Sequence, residues 1–244
     1  MQINWKIFDV SLIGPKHQVA QTPNQDNAIA VTLKHCDIIM VADGLGSHAL
    51  SHIGSQAVCR AVIKACKAVD EQIENIDPSH FLRLVHTLWL VILQEKSLAQ
   101  CGTTALIAIR TQNKIHLFAL GDGMVAVLDK NYHTHFLLSH DKREFGNITQ
   151  AMNKQFDESN WQKYEYPVDN TLMVMLCTDG IADDIQQDKK QQWILDFYQH
   201  YQHDTVKQIS YDIKKWLKKW PVKHHHDDKS MACLLRECPM EQPE

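Results

Sequence analysis

At 244 residues, with 44% apolar and 22% charged side chains, the chain can bury a sizeable core and is not a disordered tail. A net charge of −4, a pI near 6.4 and scattered lysines and arginines exclude a nucleic-acid-binding footprint. The seven cysteines (36, 59, 66, 101, 177, 233 and 238) include no Cys-x-x-Cys pair and lie mostly in apolar runs. They predict reduced, buried thiols in a cytosolic protein rather than a disulfide frame or zinc knuckle. The start, Met1 to Lys6, has neither a basic cluster nor a long apolar run, so no secretion signal is expected.

In chain order, Trp5 to Ile13 alternates as a first strand that Gly14-Pro15 ends. A polar turn, Gln21 to Asn27, leads to a second strand, Ala28 to Leu33. Ile38 to Ala42 is continuously apolar, as expected of a short strand covered on both faces. The period then changes: Leu50, Ile53, Ala57, Val58, Ala61, Val62 and Ala65 follow helical spacing and predict a long amphipathic helix. Asp77-Pro78-Ser79 caps a second helix from about His80 to Gln94, too short to span a bilayer. Four short strands follow: Thr104 to Ile109, Lys114 to Leu120, Met124 to Leu128 and His133 to Leu138. Ser139 to Pro167 reads as a short helix around Asn147 to Met152 and then a loop. There Phe145, Phe156 and Trp161 either meet a substrate or pack on the body. A strand at Leu172, helices near Gln191 to His200 and Thr205 to Trp220, and a strand at Met231 complete the chain. Without repeats or linkers, one domain over residues 1–244 is expected, built of packed sheets covered by helices.

Carboxylates stand at the strand ends. Asp43-Gly44, Asp122-Gly123 and Asp179-Gly180 each follow an apolar run, and Asp227-Asp228 precedes the last one. A single Asp-Gly reads as a plain hairpin turn, which suits Asp122-Gly123 well because a returning strand follows it. Yet three of only nine glycines directly follow a strand-terminal Asp, and an antiparallel arrangement brings four such ends to one edge. Clustered Asp side chains with a glycine carbonyl are hard oxygen ligands, suited to Mg²⁺ or Mn²⁺ rather than zinc or copper. Two such ions can bind a phosphate ester and generate a hydroxide for in-line attack.

An ordered set of motifs carries a family resemblance. Asn24-Gln25-Asp26, Val41 to Gly46, Cys101-Gly102-Thr103-Thr104-Ala105, Leu120-Gly121-Asp122, Cys177-Thr178-Asp179-Gly180 and Asp227 to Ser230 together resemble the type-2C, metal-dependent (PPM) protein phosphatases of bacterial type. Leu138 to Asp141 and Gly146 to Ala151 stand where that family has similar segments. The resemblance spans nearly the whole chain and implies an α+β fold, a four-layer αββα sandwich of two antiparallel β-sheets flanked by helix pairs. It also implies two Mn²⁺ or Mg²⁺ ions, with a further third site. Asp43 would bridge the two metals, the Gly44 carbonyl would join the second, and Asp179 and Asp227 would complete the first. Asp122 with Asp179 would border the third site, and Asp26 would lie beside the second metal, with Gln25 as a weaker member of the set. Asp43, Asp179 and Asp227 are thus the expected catalytic carboxylates.

Gln25 stands where the family commonly has a metal-linked Glu, Met124 where many relatives have an Arg, and Gln21 where an Arg often holds the substrate phosphate. Lys16 or His17 is the candidate replacement in substrate binding. His48 is a weaker candidate, set against a plainer reading as a solvent-facing first-turn residue. Cys101 has no Arg close enough for a cysteine-phosphatase loop. The chain has no Gly-x-Ser-x-Gly elbow and no phosphate-binding Gly-x-x-x-x-Gly-Lys-Ser/Thr stretch. His224-His225-His226 reads as a solvated turn or as a tuner of Asp227. In the Lys214 to Trp220 segment, Val206, Ile209, Ile213, Trp216 and Trp220 form a stripe that reads as core packing, not membrane docking.

The expected function is that of a cytoplasmic Mn²⁺/Mg²⁺-dependent protein serine/threonine phosphatase. A metal-activated water would attack phosphoserine or phosphothreonine directly, without a phosphoenzyme. It is expected to act as a monomer on phosphorylated protein, without nucleic acid or membrane. Gln25, Met124 and Gln21 motivate a rival, a phosphatase-like regulatory or binding module; a small phosphate-ester hydrolase is a second.

Overall fold

The computed structural model describes residues 4–94, 96–138, 150–223 and 225–237. One antiparallel sheet runs in the order β1 (Trp5–Leu12), β10 (Lys229–Arg236), β9 (Thr171–Cys177), β6 (Met124–Asp129), β7 (Thr134–Phe136). The other runs β2 (Asn27–Thr32), β3 (Asp37–Ala42), β4 (Ala105–Arg110), β5 (Lys114–Leu120), β8 (Gln162–Pro167). The first and last strands pair along their whole length, Trp5 opposite Arg236 and Leu12 opposite Lys229.

Side-chain alternation explains the layering. On β3, Ile38, Met40 and Ala42 face α2 (Ser51–Val69) and α3 (Pro78–Leu93), whereas Ile39 and Val41 meet Val174, Leu176 and Leu234 of the opposite sheet. That is why β3 is apolar at every position from Ile38 to Ala42. The outer face of the other sheet, including Phe8, Met173, Met175 and Cys233, is covered by α5 (Lys190–Tyr201) and α6 (Val206–Lys218). The result is the αββα sandwich. Asp77 caps α3 by accepting the His80 amide at 2.8 Å, and Pro78 occupies the first turn, where its missing N–H costs nothing. Ile209 and Ile213 on α6 are fully buried and Trp220, just beyond it, nearly so, so these residues pack on the core while Lys214, Lys215, Lys218 and Lys219 stay exposed; Val206, expected in the same stripe, is exposed at the helix start.

Two elements differ from expectation. Gly14-Pro15 ends β1 but also starts a six-residue helix, α1 (Pro15–Ala20), with Pro15 at its first position. Gln162 to Pro167, read as loop, is the edge strand β8. Tyr164 and Tyr166 pack toward the inter-sheet core, and the intervening Lys163 and Glu165 are exposed or nearly so. Of the helix expected around Asn147 to Met152, residues 147–149 lie outside the described residues and Gln150 to Met152 are not helical; Phe145 and most of the Leu138–Asp141 and Gly146–Ala151 motifs also lie outside the described residues. Met152 itself bridges Thr103 in antiparallel fashion. Phe156 and Trp161 pack against the body, Trp161 buried and Phe156 under the Arg83 guanidinium at 4.9 Å. Six cysteines are free and buried; Cys238 lies outside the described residues. Among the described residues no helix is long and apolar enough to cross a membrane.

Candidate metal centre

In antiparallel sheets the end of one strand lies beside the start of the next. Pairing of Asn27 with Ala42 puts Asp26 next to Asp43, and pairing of Cys177 with both Met124 and Met231 puts Asp179 near the β5–β6 turn and the start of β10. Asp26, Asp43, Asp122, Asp179 and Asp227 therefore gather at one edge of the sandwich, drawn from both sheets. Gly180 makes the last approach possible. A Cβ there would stand 2.0 Å from the Asp228 carbonyl oxygen and 3.3 Å from the Asp227 Cβ. Only glycine lets α4 (Asp179–Ala182) lie so close to β10.

Asp43 is the centre of the group. Its carboxyl hydrogen-bonds Asp26 on one side and Asp179 on the other, and burial, followed by the charges of Asp26 and Asp179, holds its pKa well above the usual carboxylate range. Burial also pushes Asp26 up to about 7, opposed by a 2.8 Å hydrogen bond from the Thr178 hydroxyl. Asp179 is raised by burial and then by the nearby charges of Asp122, Asp227 and Asp183. Among the described residues no basic side chain forms an ion pair with Asp43 or Asp179. The other end of β3 provides the contrast, since Asp37 is neutralised there by Arg110. Mutual repulsion at this partly buried edge favours a cation, and the donors are hard oxygens, so the chemistry fits Mg²⁺ or Mn²⁺.

The backbone around Asp43 is tightly held. Its amide donates to the Thr104 hydroxyl at 2.9 Å, its carbonyl accepts from the Thr104 amide at 2.8 Å and the Thr103 hydroxyl at 2.9 Å, and Gly44 N–H donates to the Gln25 carbonyl at 3.2 Å. The carboxyls themselves are paired with one another. Among the described residues no three or more His, Cys, Asp or Glu side chains stand ready at ligand spacing.

The sequence model of the family described as protein phosphatase 2C matches residues 13–220. The chain belongs to the protein phosphatase 2C family. The fold of Stp1, a serine/threonine phosphatase from Staphylococcus aureus, superposes with a TM-score of 0.67 at 13% identity, covering 98% of this chain and 96% of that one. The Mycobacterium tuberculosis serine/threonine phosphatase PstP/Ppp gives a TM-score of 0.69 at 16% identity, covering 97% and 100%. A PstP catalytic domain in complex with two manganese ions gives 0.66 at 16% identity, with the same coverage. At these identities the structural likeness establishes the fold. No curated protein sequence matches significantly.

Within this phosphatase-family frame, Gln25 lies at the cluster's rim, its carbonyl accepting both Gly44 N–H and the Ser55 hydroxyl, the latter at 2.7 Å. Met124 is buried on β6, in the apolar layer between the first sheet and helices α5 and α6. Lys16 is exposed on α1, its amide donating to the His226 carbonyl at 3.2 Å. The His17 Nδ1 lies 2.9 Å from an Asp228 carboxylate oxygen. His48 accepts the Gly102 amide on Nδ1 at 3.0 Å, which anchors the Cys101 to Thr103 turn. Of the histidine run, His225 Nδ1 lies 3.0 Å from the Lys229 ammonium, and His224 is outside the described residues.

Three participants escaped sequence reasoning. Thr178 supports Asp26 across the two sheets, and its hydroxyl also accepts the Ser230 amide at 3.1 Å. Lys229, buried, stands among Asp184, Asp227, Asp26 and Asp228, and its pKa is lowered by burial despite them. Asp228 is buried, and its carboxylate accepts the Gly14 amide at 2.6 Å and the Gln25 amide at 2.7 Å. The only signal for Asp228 and Lys229 was adjacency to Asp227.

Proposed function

We propose that this single-domain member of the protein phosphatase 2C family is a Mn²⁺- or Mg²⁺-dependent protein serine/threonine phosphatase that hydrolyses phosphoserine and phosphothreonine by direct attack of water. The observation that carries this reading is Asp43, seated between Asp26 and Asp179 without an ion-paired base among the described residues. Asp43, the Gly44 carbonyl, Asp179 and Asp227 would hold two ions. Asp122 would border a third, and Asp26 and Gln25 would lie at the edge of the set. Divalent ions there supply Lewis-acid activation of water and neutralise charge on the phosphoryl oxygens.

The remaining work belongs to the chain. Thr103 and Thr104 fix the Asp43 backbone, so the central carboxyl does not drift as its neighbours change protonation. Thr178 and the Asn24 side chain, which accepts the Asp26 amide at 3.0 Å, hold Asp26 in place. Lys16, exposed on α1 at the same edge, supplies a positive charge for an approaching phosphate. The phosphoprotein partner and a cytoplasmic site of action belong to this same proposal.

The test is hydrolysis of p-nitrophenyl phosphate and a phosphothreonine peptide by wild type and Asp179→Asn, in EDTA, Mg²⁺ or Mn²⁺. Metal-dependent turnover that Asp179→Asn reduces by at least about 10²-fold is expected. No turnover with any metal in a folded protein overturns the enzyme. Tight phosphopeptide binding in that case would favour the regulatory module that neutral Gln25 and buried Met124 point toward.

A further inference from the structure

Two free thiols meet where the β2–β3 turn touches the end of α2. Thr32 pairs with Asp37, so residues 33–36 form the turn, and the Leu33 amide closes it on the Cys36 carbonyl at 2.8 Å. Cys36 holds the last turn position, 6% exposed, directly before β3. Cys66 stands in the last turn of α2, 2% exposed, and its carbonyl accepts the Asp70 amide at the helix end. The two side chains are hydrogen-bonded, thiol to thiol, although a strand, the Asp43 turn and a whole helix separate them in the chain.

Neighbouring contacts fix this corner. Asp37 accepts the Thr32 hydroxyl at 2.7 Å and the Arg110 Nε–H at 2.9 Å, and His35 Nε2 lies 3.7 Å from Asp70 Oδ1. Both cysteines belong to the apolar layer between the sheet and helices α2 and α3. The fold thus holds the sulfurs in contact, and a disulfide requires them to close by only about 2 Å. The thiols are also unequal. Cys66 donates its hydrogen to Cys36, which lowers the Cys36 pKa, and the nearby Arg110 charge acts in the same sense against burial and Asp37. The same contact, with burial, raises Cys66. Elsewhere burial pushes the thiols up: Cys59 to about 12, and Cys101, Cys177 and Cys233 in the same direction.

We infer that Cys36 and Cys66 form a modification site, a thiol pair that a hydroperoxide oxidises to an intramolecular disulfide. The Cys36 thiolate attacks one peroxide oxygen. The O–O bond breaks, and its electron pair leaves on the other oxygen, which takes up the Cys36 proton and departs as water. The Cys66 sulfur then attacks the sulfenic acid formed on Cys36. The S–O bond breaks, and the hydroxyl leaves as a second water with the Cys66 proton. Two thiols lose two electrons in total, and one hydrogen peroxide becomes two waters. A dithiol reductant reverses the bond. The bridge ties the start of β3 to the end of α2 and closes a loop that contains Asp43, which restricts the unfolded chain.

The experiment treats the full chain with hydrogen peroxide, then denatures it, alkylates it and locates each modified cysteine by mass spectrometry. Cys36 and Cys66 are expected to lose alkylation together and to appear in one cross-linked species, about 2 Da lighter than the two thiols. Dithiothreitol should restore both, while Cys101, Cys177 and Cys233 stay alkylated throughout. The bridged protein should melt about 5–10 °C higher than the reduced one. Cys66→Ser is expected to stop the reaction at the sulfenic acid, so that a 1,3-dione probe labels Cys36. If that variant does not fold, the wild-type map alone decides. Cys36 and Cys66 that remain alkylated while peroxide oxidises added glutathione overturn the inference. So does a bond from Cys36 to Cys59 or Cys238 in place of Cys66.

Discussion

A carboxyl that its surroundings keep from ionising is a poor contributor to the metal-free protein, and Asp43 is such a group. Burial and the charges of Asp26 and Asp179 disfavour its ionised form, and it persists by sharing hydrogen bonds with both. Asparagine has nearly the same shape, can donate its amide hydrogens to those neighbours and brings no charge. Asp43→Asn is therefore expected to fold, to melt in EDTA near neutral pH at least as high as wild type, and to lose metal-dependent turnover. Thermal melts and Mn²⁺ titration check this; retained turnover would remove Asp43 from the centre. The strand-end carboxylates were legible because an apolar run stopping on Asp-Gly is a local signal. Thr178 was not: its bond to Asp26 joins residues 152 positions apart, and nothing in either segment announces the other. Asp228 was hidden differently, because its partners Gly14, His17 and Gln25 lie at the opposite end of the chain.

At the scale of elements, the cluster exists because backbone segments approach where a side chain would not fit. Gly180 is the clearest instance, since α4 rests directly on the first residues of β10. Gly180→Ala must push Asp228 away or tilt α4, and either movement separates Asp179 from Asp227. Overpacking of this kind costs about 1–3 kcal/mol. The expected outcome is a lower urea midpoint together with weaker Mn²⁺ binding, whereas unchanged values of both would show that the contact is slack. Elements with a strong period, such as β3, α2, α3 and α6, were readable because burial on one or both faces leaves its imprint on every turn or alternate residue. β8 carries that imprint on only two tyrosines, because as an edge strand it lends one face to the core and the other to Lys163 and Glu165. α1 is too short for any period, and its buried positions are none. It is held instead by the Lys16 and Gly14 contacts to residues 226–228.

For the whole molecule, the apolar layer between the sheets holds like charges together against their repulsion, and this makes stability depend on protons and metal at once. Asp26 is raised to about 7 from an ordinary value of 3.8, and Asp43 and Asp179 are raised as well. Below the ordinary value both folded and unfolded chains hold these protons, and the folded state keeps its full stability. Between about pH 4 and 7 the unfolded chain releases protons that the folded metal-free site retains, so stability falls as pH rises through that window. A divalent cation reverses the preference, because it binds the ionised carboxylates and competes with the protons at the acid end. Carboxyls held low, such as Glu74 and Asp129, act in the opposite sense, so the cluster is isolated by comparing wild type with Asp43→Asn. In EDTA the wild-type melting temperature is expected to fall more, or rise less, between about pH 5.5 and 7.5 than that of the variant. Mn²⁺ at about 100 times its Kd should then raise the wild-type value by about 5–10 °C near pH 7.5. The same concentration should raise it less near pH 5.5, and should raise the variant little at either pH. Identical pH slopes in wild type and variant, or a metal effect greater at the acid end, would show that the carboxylates are not coupled as their burial and mutual contacts require.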